Sequence, residues 1–324
     1  MIFYFAPLEG LTGAVYRRTH AAMVGGVDKY FTPFYSPGTV GLSKKEIAEL
    51  DGDDRAITVP QLLTKRPAEF LIAAGQLYAL GYREVNLNFG CPSGTVSSKH
   101  KGAGFLQLPD DMYAFFEEIF AGVDGVAPGM QISVKTRVGY SSEEAFPRLL
   151  EVYNQFPIKE LIVHPRLRQD FYRGHPRYGS YAYAQENAVM PLCYNGDIFS
   201  LADYEAVLQR FPTTTRVMIG RGAVADPTFF LAIRGQPVAD KRACLRALHD
   251  RLLEENSRRM GVGNNLLCRM ADLWNYQIHL FAGAEQARRR IRQAANLAEY
   301  RAAVATLFRE HPLLPDGAFV PPQK

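Results

Sequence analysis

The sequence predicts an α/β protein: a (β/α)8 TIM barrel followed by a small C-terminal helical domain. Three observations carry this reading. Eight short, β-rich apolar runs recur along the first two-thirds of the chain. Helix-period stretches separate them. The runs are apolar nearly throughout rather than alternating, as in a parallel sheet covered on both faces. Beyond about Lys241 the strand-like runs stop, and Ala, Leu and Arg take over at helical spacing.

In chain order the runs are 2–8, 29–34, 56–63, 84–89, 131–137, 160–166, 191–197 and 216–222. The clearest helical patterns between them cover 12–23, 67–80, 110–121, 143–153 and 201–209. Pro67 stands where a first-turn proline belongs, and Gly81 just past the end where a C-cap belongs. Eight strand–helix units match an eightfold barrel in number and length. The rival, an open doubly wound sheet, calls for a glycine-rich fingerprint after the first strand, and Ala6-Pro7-Leu8-Glu9-Gly10 is not one. The barrel is assigned to residues 1–238 and the helical domain to 239–312, with Leu245, Leu248 and Leu252 on one helix face. Residues 313–324 form a proline-bearing tail expected to be loosely ordered.

At 324 residues, 47% hydrophobic and 22% charged, the composition is that of an ordinary soluble protein. Met1 to Leu8 is apolar but too short for a secretory leader, and no run approaches a membrane span. The four cysteines (Cys91, Cys193, Cys244, Cys268) form no CxxC pair, which argues against metal and against a disulfide framework. A monomer in the reducing cytoplasm is expected. Net charge is +4. The basic excess collects between Lys241 and His311, with thirteen Lys/Arg against seven Asp/Glu.

A barrel carries its chemistry at the C-terminal ends of its strands. Those ends hold Pro7, Gln61, Asn88 with Cys91, Lys135 with Arg137, His164 with Arg166, Asn195-Gly196-Asp197 and Gly220-Arg221-Gly222. Gln61 and Asn88 offer amides suited to a planar heterocycle. Lys135 is either a salt-bridged lysine or a cation for electron density on a flavin or substrate oxygen. His164 is either a hydrogen-bonder that packs or a site residue. Gly220 and Gly222 read as tight-turn glycines or as a phosphate cradle; Arg221 between them favours phosphate, with a helix over 226–233 behind it. The stretch from Cys91 to Phe105 has no helical or strand period and is read as a lid carrying a thiol that can act as an acid. Asn86 is assigned to the face opposite Asn88, as packing. Arg166, Arg168, Arg173 and Arg177, interleaved with Phe171, Tyr172, Tyr178, Tyr181 and Tyr183, read as an RNA-contact loop or as a surface loop with aromatic anchors. Arg288, Arg289, Arg290 and Arg292 form a second basic patch.

Taken together, these residues resemble the tRNA-dihydrouridine synthase family. The matching motifs are ordered along almost the whole chain: Ala6-Pro7-Leu8-Glu9-Gly10, Val59-Pro60-Gln61-Leu62, Asn88-Phe89-Gly90-Cys91-Pro92, Lys101-Gly102-Ala103-Gly104-Phe105-Leu106, Val134-Lys135-Thr136-Arg137, Asn195-Gly196-Asp197, Gly220-Arg221-Gly222-Ala223, and 288–307. The resemblance implies an FMN-bearing barrel with a tRNA-binding helical domain, reducing uridine to 5,6-dihydrouridine at the expense of NADPH. It implies FMN contacts from Pro7, Leu8, Glu9, Gln61, Asn88, Lys135, His164, Asn195, Gly196, Asp197, Gly220 and Arg221, and Cys91 as the acid. Arg137, Arg166, Arg168, Tyr172, Arg288, Arg289 and Arg290 are the expected substrate contacts. The chain departs from the family at His164-Pro165-Arg166-Leu167, where His-Gly-Arg-Thr is usual; proline removes a donor and fixes φ there. Two alternatives stand beside this reading: a flavin-dependent ene-reductase acting on a free pyrimidine or other small molecule, and a non-catalytic RNA-binding module. The basic helical domain weighs against the first, and intact Cys91 and Lys135 weigh against the second.

Overall fold

The computed structural model describes residues 1–321. Eight parallel strands close into a barrel in chain order: β1 (Ile2–Phe5), β2 (Lys29–Tyr35), β3 (Thr58–Leu62), β4 (Glu84–Phe89), β5 (Gln131–Gly139), β6 (Leu161–Leu167), β7 (Leu192–Tyr194) and β8 (Arg216–Ile219). β1 pairs with both β2 and β8, which completes the closure. Helices Ala14–Met23, Pro67–Ala79, Pro109–Val126, Phe146–Asn154, Tyr178–Asn187 and Leu201–Arg210 return the chain between strands. Pro67 is in the first helical turn, and Gly81 takes φ +98° just past the end of that helix.

The barrel interior is layered along its axis. At the bottom, Lys29 and Lys159 each place their ammonium 2.5 Å from Glu84, while Glu160 accepts from Tyr4 (3.0 Å) and pairs with Arg216 (3.5 Å). Above lies an apolar layer that includes Tyr4, Phe31, Val59, Ile162, Cys193 and Met218. Amides and cations line the top. The charged plug and the apolar layer fill the lower part of the barrel interior.

Register sets the neighbours at that top. Asn88 of β4 lies beside Lys135 of β5, and Arg137 of β5 beside His164 of β6. Gln61 of β3 is in register with Asn86 of β4. Asn86 therefore shares the inward face with Asn88. This corrects the expectation that it packs on the other side, because residues two apart on a strand point the same way.

Three further expectations are corrected. The 91–105 stretch is not structureless: it contains a short helix, Gly94–Ser97, and a 3-10 turn, Gly102–Gln107, with Ala103, Phe105 and Leu106 buried. Two short helices, Arg221–Ala225 and Phe229–Ile233, replace the single helix expected over 226–233. They break at Asp226, whose carboxylate accepts from Thr228 (2.7 Å) and Lys241 (2.6 Å). Finally, Tyr178, Tyr181 and Tyr183 belong to a helix rather than to an RNA-contact loop. Tyr181 is fully buried edge-on to Tyr194 and Phe211, Tyr178 packs on Phe211, and Tyr183 meets Phe146.

Four longer helices follow the barrel: Lys241–Met260, Asn264–Gln277, Glu285–Gln293 and Leu297–Glu310. Leu245, Leu248, Leu252, Trp274, Ile291 and Leu307 join the same apolar cluster as the outer barrel wall. Tyr300 is its polar pin: its hydroxyl accepts from Trp274 Nε1 (3.0 Å) and bonds His249 (3.0 Å). Gln277 donates to the carbonyl of Val224 at 3.3 Å, tying these helices to the segment after β8. The segment from Leu313 is not loose as far as it is described. Leu313 bridges to Phe281, and Phe319 is buried. Residues 322–324 of the expected tail lie outside the described residues.

Candidate active site at the carboxyl end of the barrel

A cavity of about 1040 Å³ opens at the C-terminal ends of the strands. Pro7, Leu8, Glu9, Gln61, Asn88, Cys91, Lys135, Arg137, His164, Tyr172, Arg221 and Arg288, all expected at a site from sequence, line it. Its volume stands just above the usual range for a single small-molecule pocket.

The floor is a chain of amides with one direction. Ser133 Oγ accepts from Asn86 Nδ2 (2.9 Å), Asn86 Oδ1 accepts from Gln61 Nε2 (2.7 Å), and Gln61 Oε1 accepts from Asn88 Nδ2 (2.6 Å). Asn88 Oδ1 in turn accepts the backbone N–H groups of Gly90 (3.0 Å) and Cys91 (2.8 Å). Each amide thus fixes the orientation of the next. Gln61 and Asn88 each retain one side-chain N–H unused by this chain of bonds.

The Cys91 turn is clamped from two more directions. Arg137 Nε donates to Gly90 O (2.9 Å), Nη1 to Leu167 O (2.7 Å) and Nη2 to Phe171 O (2.8 Å). Arg137 is 1% exposed. It lines the cavity, and three of its N–H groups go to carbonyls of the surrounding loops, so it holds those loops together. The returning limb is tied to the Cys91 backbone: Ala103 N–H donates to Cys91 O (3.1 Å). A Cβ on Gly102 would come within 3.0 Å of Cys91 Cβ, and one on Gly104 within 2.5 Å of Ser97 O, so the glycines there are needed for close approach. Lys101 adds an ion pair to Glu69 at 3.9 Å.

Burial pushes the Cys91 thiol above its ordinary value, against the opposing pull of a Ser93 backbone hydrogen bond and the Arg137 charge. It is therefore a protonated thiol at neutral pH. Lys135 is pushed the other way, to about 7, by burial and then by the like charge of Arg137. His164 is held well below its usual range, again by burial first and then by Arg137 and Lys135, and is a neutral imidazole. Neither Lys135 nor His164 has a hydrogen-bond partner among the described residues, and both face the cavity.

Several expected site residues sit behind the wall instead of on it. Asn195, Gly196, Asp197 and Gly220 do not line the cavity. Asn195 donates to Met218 O (2.9 Å), and Asp197 is shared between Arg166 and Arg221, the latter at 2.7 Å. Arg166 is fully buried and also donates to the carbonyls of Arg173 and Gly174. The expectation that Arg166 meets RNA is corrected: its guanidinium is spent inside the protein. Arg168 packs over Tyr140 (5.3 Å) and Phe171 (5.1 Å), outside the cavity. Pro165 lies within β6, and its carbonyl accepts from Arg177 N–H at 2.6 Å.

Of the basic patch, Arg288 and Arg292 reach the cavity, while Arg289 and Arg290 are exposed elsewhere on the same helix. The difference is helical geometry, since positions four apart share a face. Asn275 Oδ1 accepts from both Arg288 (3.4 Å) and Arg292 (3.3 Å). Sequence reasoning missed Tyr276, His279 and Phe319, which also line the cavity. Among the described residues no cluster of His, Cys, Asp or Glu converges as a metal site, and no helix is long and apolar enough to cross a membrane.

With this geometry in view, comparison with known proteins gives a consistent picture. The chain resembles morphinone reductase (TM-score 0.51, 11% identity, 73% of this chain and 86% of that one) and a 2-naphthoyl-CoA reductase (TM-score 0.56, 10% identity, 72% and 50%). At such identities the likeness concerns the fold. In sequence it is 26% identical to tRNA-dihydrouridine synthase B of Shigella flexneri over 71% of this chain and 70% of that protein. The same figures hold for the Escherichia coli (strain K12) protein. The model of the dihydrouridine synthase family matches residues 4–311. The chain belongs to the dihydrouridine synthase family.

Proposed function

We propose that this protein is an FMN-dependent tRNA-dihydrouridine synthase that reduces uridine in tRNA, with NADPH as reductant. The observation that carries the reading is a half-buried, protonated thiol fixed at the rim of a cavity whose inner edge offers an unpartnered lysine and a neutral, unpartnered histidine.

The residues fit a flavin. Gln61, Asn88, Lys135 and His164 present spare donors along one edge, suited to a planar ring with alternating polar atoms. Arg221, the cation at the ends of β7 and β8, suits a phosphate, and Arg166, Asp197, Asn195, Gly196 and Gly220 support it from behind. When bound, FMN supplies the hydride that adds to one carbon of the uracil C5=C6 bond.

The protein's own part is the matching proton. Cys91 Sγ–H delivers it to the other carbon, so that one hydride and one proton saturate the double bond. The Arg137 and Lys135 charges nearby favour the thiolate left behind. Asn88 and Arg137 hold the Cys91 turn still, which keeps the proton donor aligned with the ring. Arg288 and Arg292, on the outer rim, meet the anionic backbone of tRNA.

The test is direct. The purified protein is incubated with unmodified tRNA and NADPH, and dihydrouridine is counted by mass spectrometry, with free uridine and a simple enone as parallel substrates. The expected result is a yellow protein that forms dihydrouridine in tRNA only. NADPH oxidation by a flavin-loaded protein that leaves every tRNA uridine intact would sink the proposal.

A further inference from the structure

One part of the cavity wall comes from neither the barrel nor the longer helices. After Glu310 the chain doubles back along residues 280–282. Ala282 N–H donates to Pro312 O (2.9 Å), Leu313 bridges to Phe281, and Leu314 N–H donates to Leu280 O (2.8 Å). A turn then closes with Gly317 N–H on Leu314 O (3.2 Å). This path delivers Phe319, 7% exposed, into the cavity wall with Val320 and Pro321 beside it.

The surroundings of Phe319 say where on the wall it stands. Its ring lies 5.4 Å from Phe199, 5.3 Å from Tyr276 in a stacked arrangement and 5.2 Å from His279. The Arg221 guanidinium is 5.7 Å from its centre. Phe199 follows β7 and Arg221 follows β8. Phe319 therefore spans the ends of these two strands, over the cation assigned above to a phosphate.

We propose that residues 313–321 are a retaining strap for the phosphate-bearing end of the cofactor, with Phe319 as the side chain that closes it. The inference rests on the FMN reading. Its physical basis is exclusion of water: an aromatic ring seated beside Arg221 lowers the local dielectric and strengthens a pairing between guanidinium and phosphate. The strap is tied on one side, by a few backbone bonds to 280–282, so it opens without disturbing the barrel.

The experiment compares the full chain with Phe319→Ala, Phe319→Tyr and a chain lacking residues 313–324. Each is loaded with FMN or with riboflavin, and flavin release is followed by the rise in fluorescence on dilution. FMN release from Phe319→Ala and from the shortened chain is expected to be about tenfold faster. Phe319→Tyr should restore slow release, and riboflavin, which lacks the phosphate, should be affected far less. Equal FMN release from the full chain and Phe319→Ala overturns the strap. So does a lower melting temperature of the flavin-free variant without faster release, which marks a packing role only. Phe319→Ala keeps the question decidable if the shortened chain does not fold. A full chain that takes up no flavin refutes the FMN reading itself, and the strap with it.

Discussion

Asn88 Oδ1 accepts the backbone N–H of Cys91 at 2.8 Å, so the strand that lines the cavity also sets the position of the thiol at its rim. The same oxygen takes the N–H of Gly90, and the amide's other end is locked by Gln61. Cys91→Ala should lower dihydrouridine formation by about 10²–10⁴-fold, the usual reach of a positioned acid, with flavin binding and flavin reduction by NADPH intact. Asn88→Ala should cost less, about tenfold, by loosening the turn. The double variant should be no slower than Cys91→Ala alone, because a misplaced acid and a missing one are the same defect. Single-turnover rates with pre-reduced enzyme measure this; additive losses would separate Asn88 from Cys91.

The pH profile follows from the sign of the Cys91 shift. The acid must be protonated, and burial raises its pKa. The proton-donating step should therefore stay fast through neutral pH and fall only as pH rises through a value above the ordinary thiol pKa of about 8.5. Single-turnover rates across the alkaline range test this. A decline already complete below neutrality would assign the proton to another group.

Lys135 behaves oppositely. In the unliganded protein its pKa is lowered to about 7 by burial and by Arg137. An anionic ligand favours the charged form, so flavin affinity should weaken as pH rises above about 7, and Lys135→Met should flatten that slope. Stability of the unliganded chain moves the other way. Between about 7 and the unfolded lysine value of 10.5 the unfolded state holds the extra proton, so this lysine adds stability as pH rises across that window. Titrations of flavin fluorescence and of melting temperature, with and without Lys135→Met, check both signs.

How far the sequence carried this picture is plain at particular residues. The eight strands were legible because parallel strands buried on both faces read as unbroken apolar runs. Cys91, Lys135 and His164 were legible because strand ends in a barrel point at one cavity. Asn86 needed only correct use of the two-residue period. Arg166 and Tyr181 were not legible. Nothing in a local pattern tells an arginine paired with Asp197, thirty-one residues away, from one that meets phosphate. Nor does it tell a helical tyrosine packed on Phe211 from one in a loop. Phe319 was hidden for the same reason: its partners Phe199, Tyr276 and His279 are distant in sequence.

The buried Arg166 yields a prediction that separates packing from RNA contact. Its guanidinium meets Asp197 and the carbonyls of Arg173 and Gly174. Removing it leaves those acceptors short of a donor, although Asp197 keeps Arg221. Arg166→Ala should cost about 1–3 kcal/mol of stability and weaken flavin binding through Arg221, with little change in tRNA affinity for whatever folded fraction remains. Urea unfolding and tRNA binding, measured on the same preparation, test the split. A stable variant with weak tRNA binding would return Arg166 to the RNA surface.

The basic helix 285–293 allows a sharper test, because its arginines divide by face. Arg288 and Arg292 share the cavity rim and the Asn275 acceptor, whereas Arg289 and Arg290 point elsewhere. If tRNA is led into the cavity across this rim, Arg288→Ala and Arg292→Ala should each weaken tRNA binding and flatten its dependence on salt. The slope of log affinity against log salt should change by roughly 0.7–0.9 per lost phosphate contact. Arg289→Ala and Arg290→Ala should shift the slope less. Turnover at saturating tRNA should stay near normal in all four, since the role assigned to this helix is binding of the tRNA backbone and not proton transfer. Binding isotherms at several salt concentrations decide the matter: equal losses from both faces would mean that the helix acts only as a diffuse positive field, with no rim-specific contact.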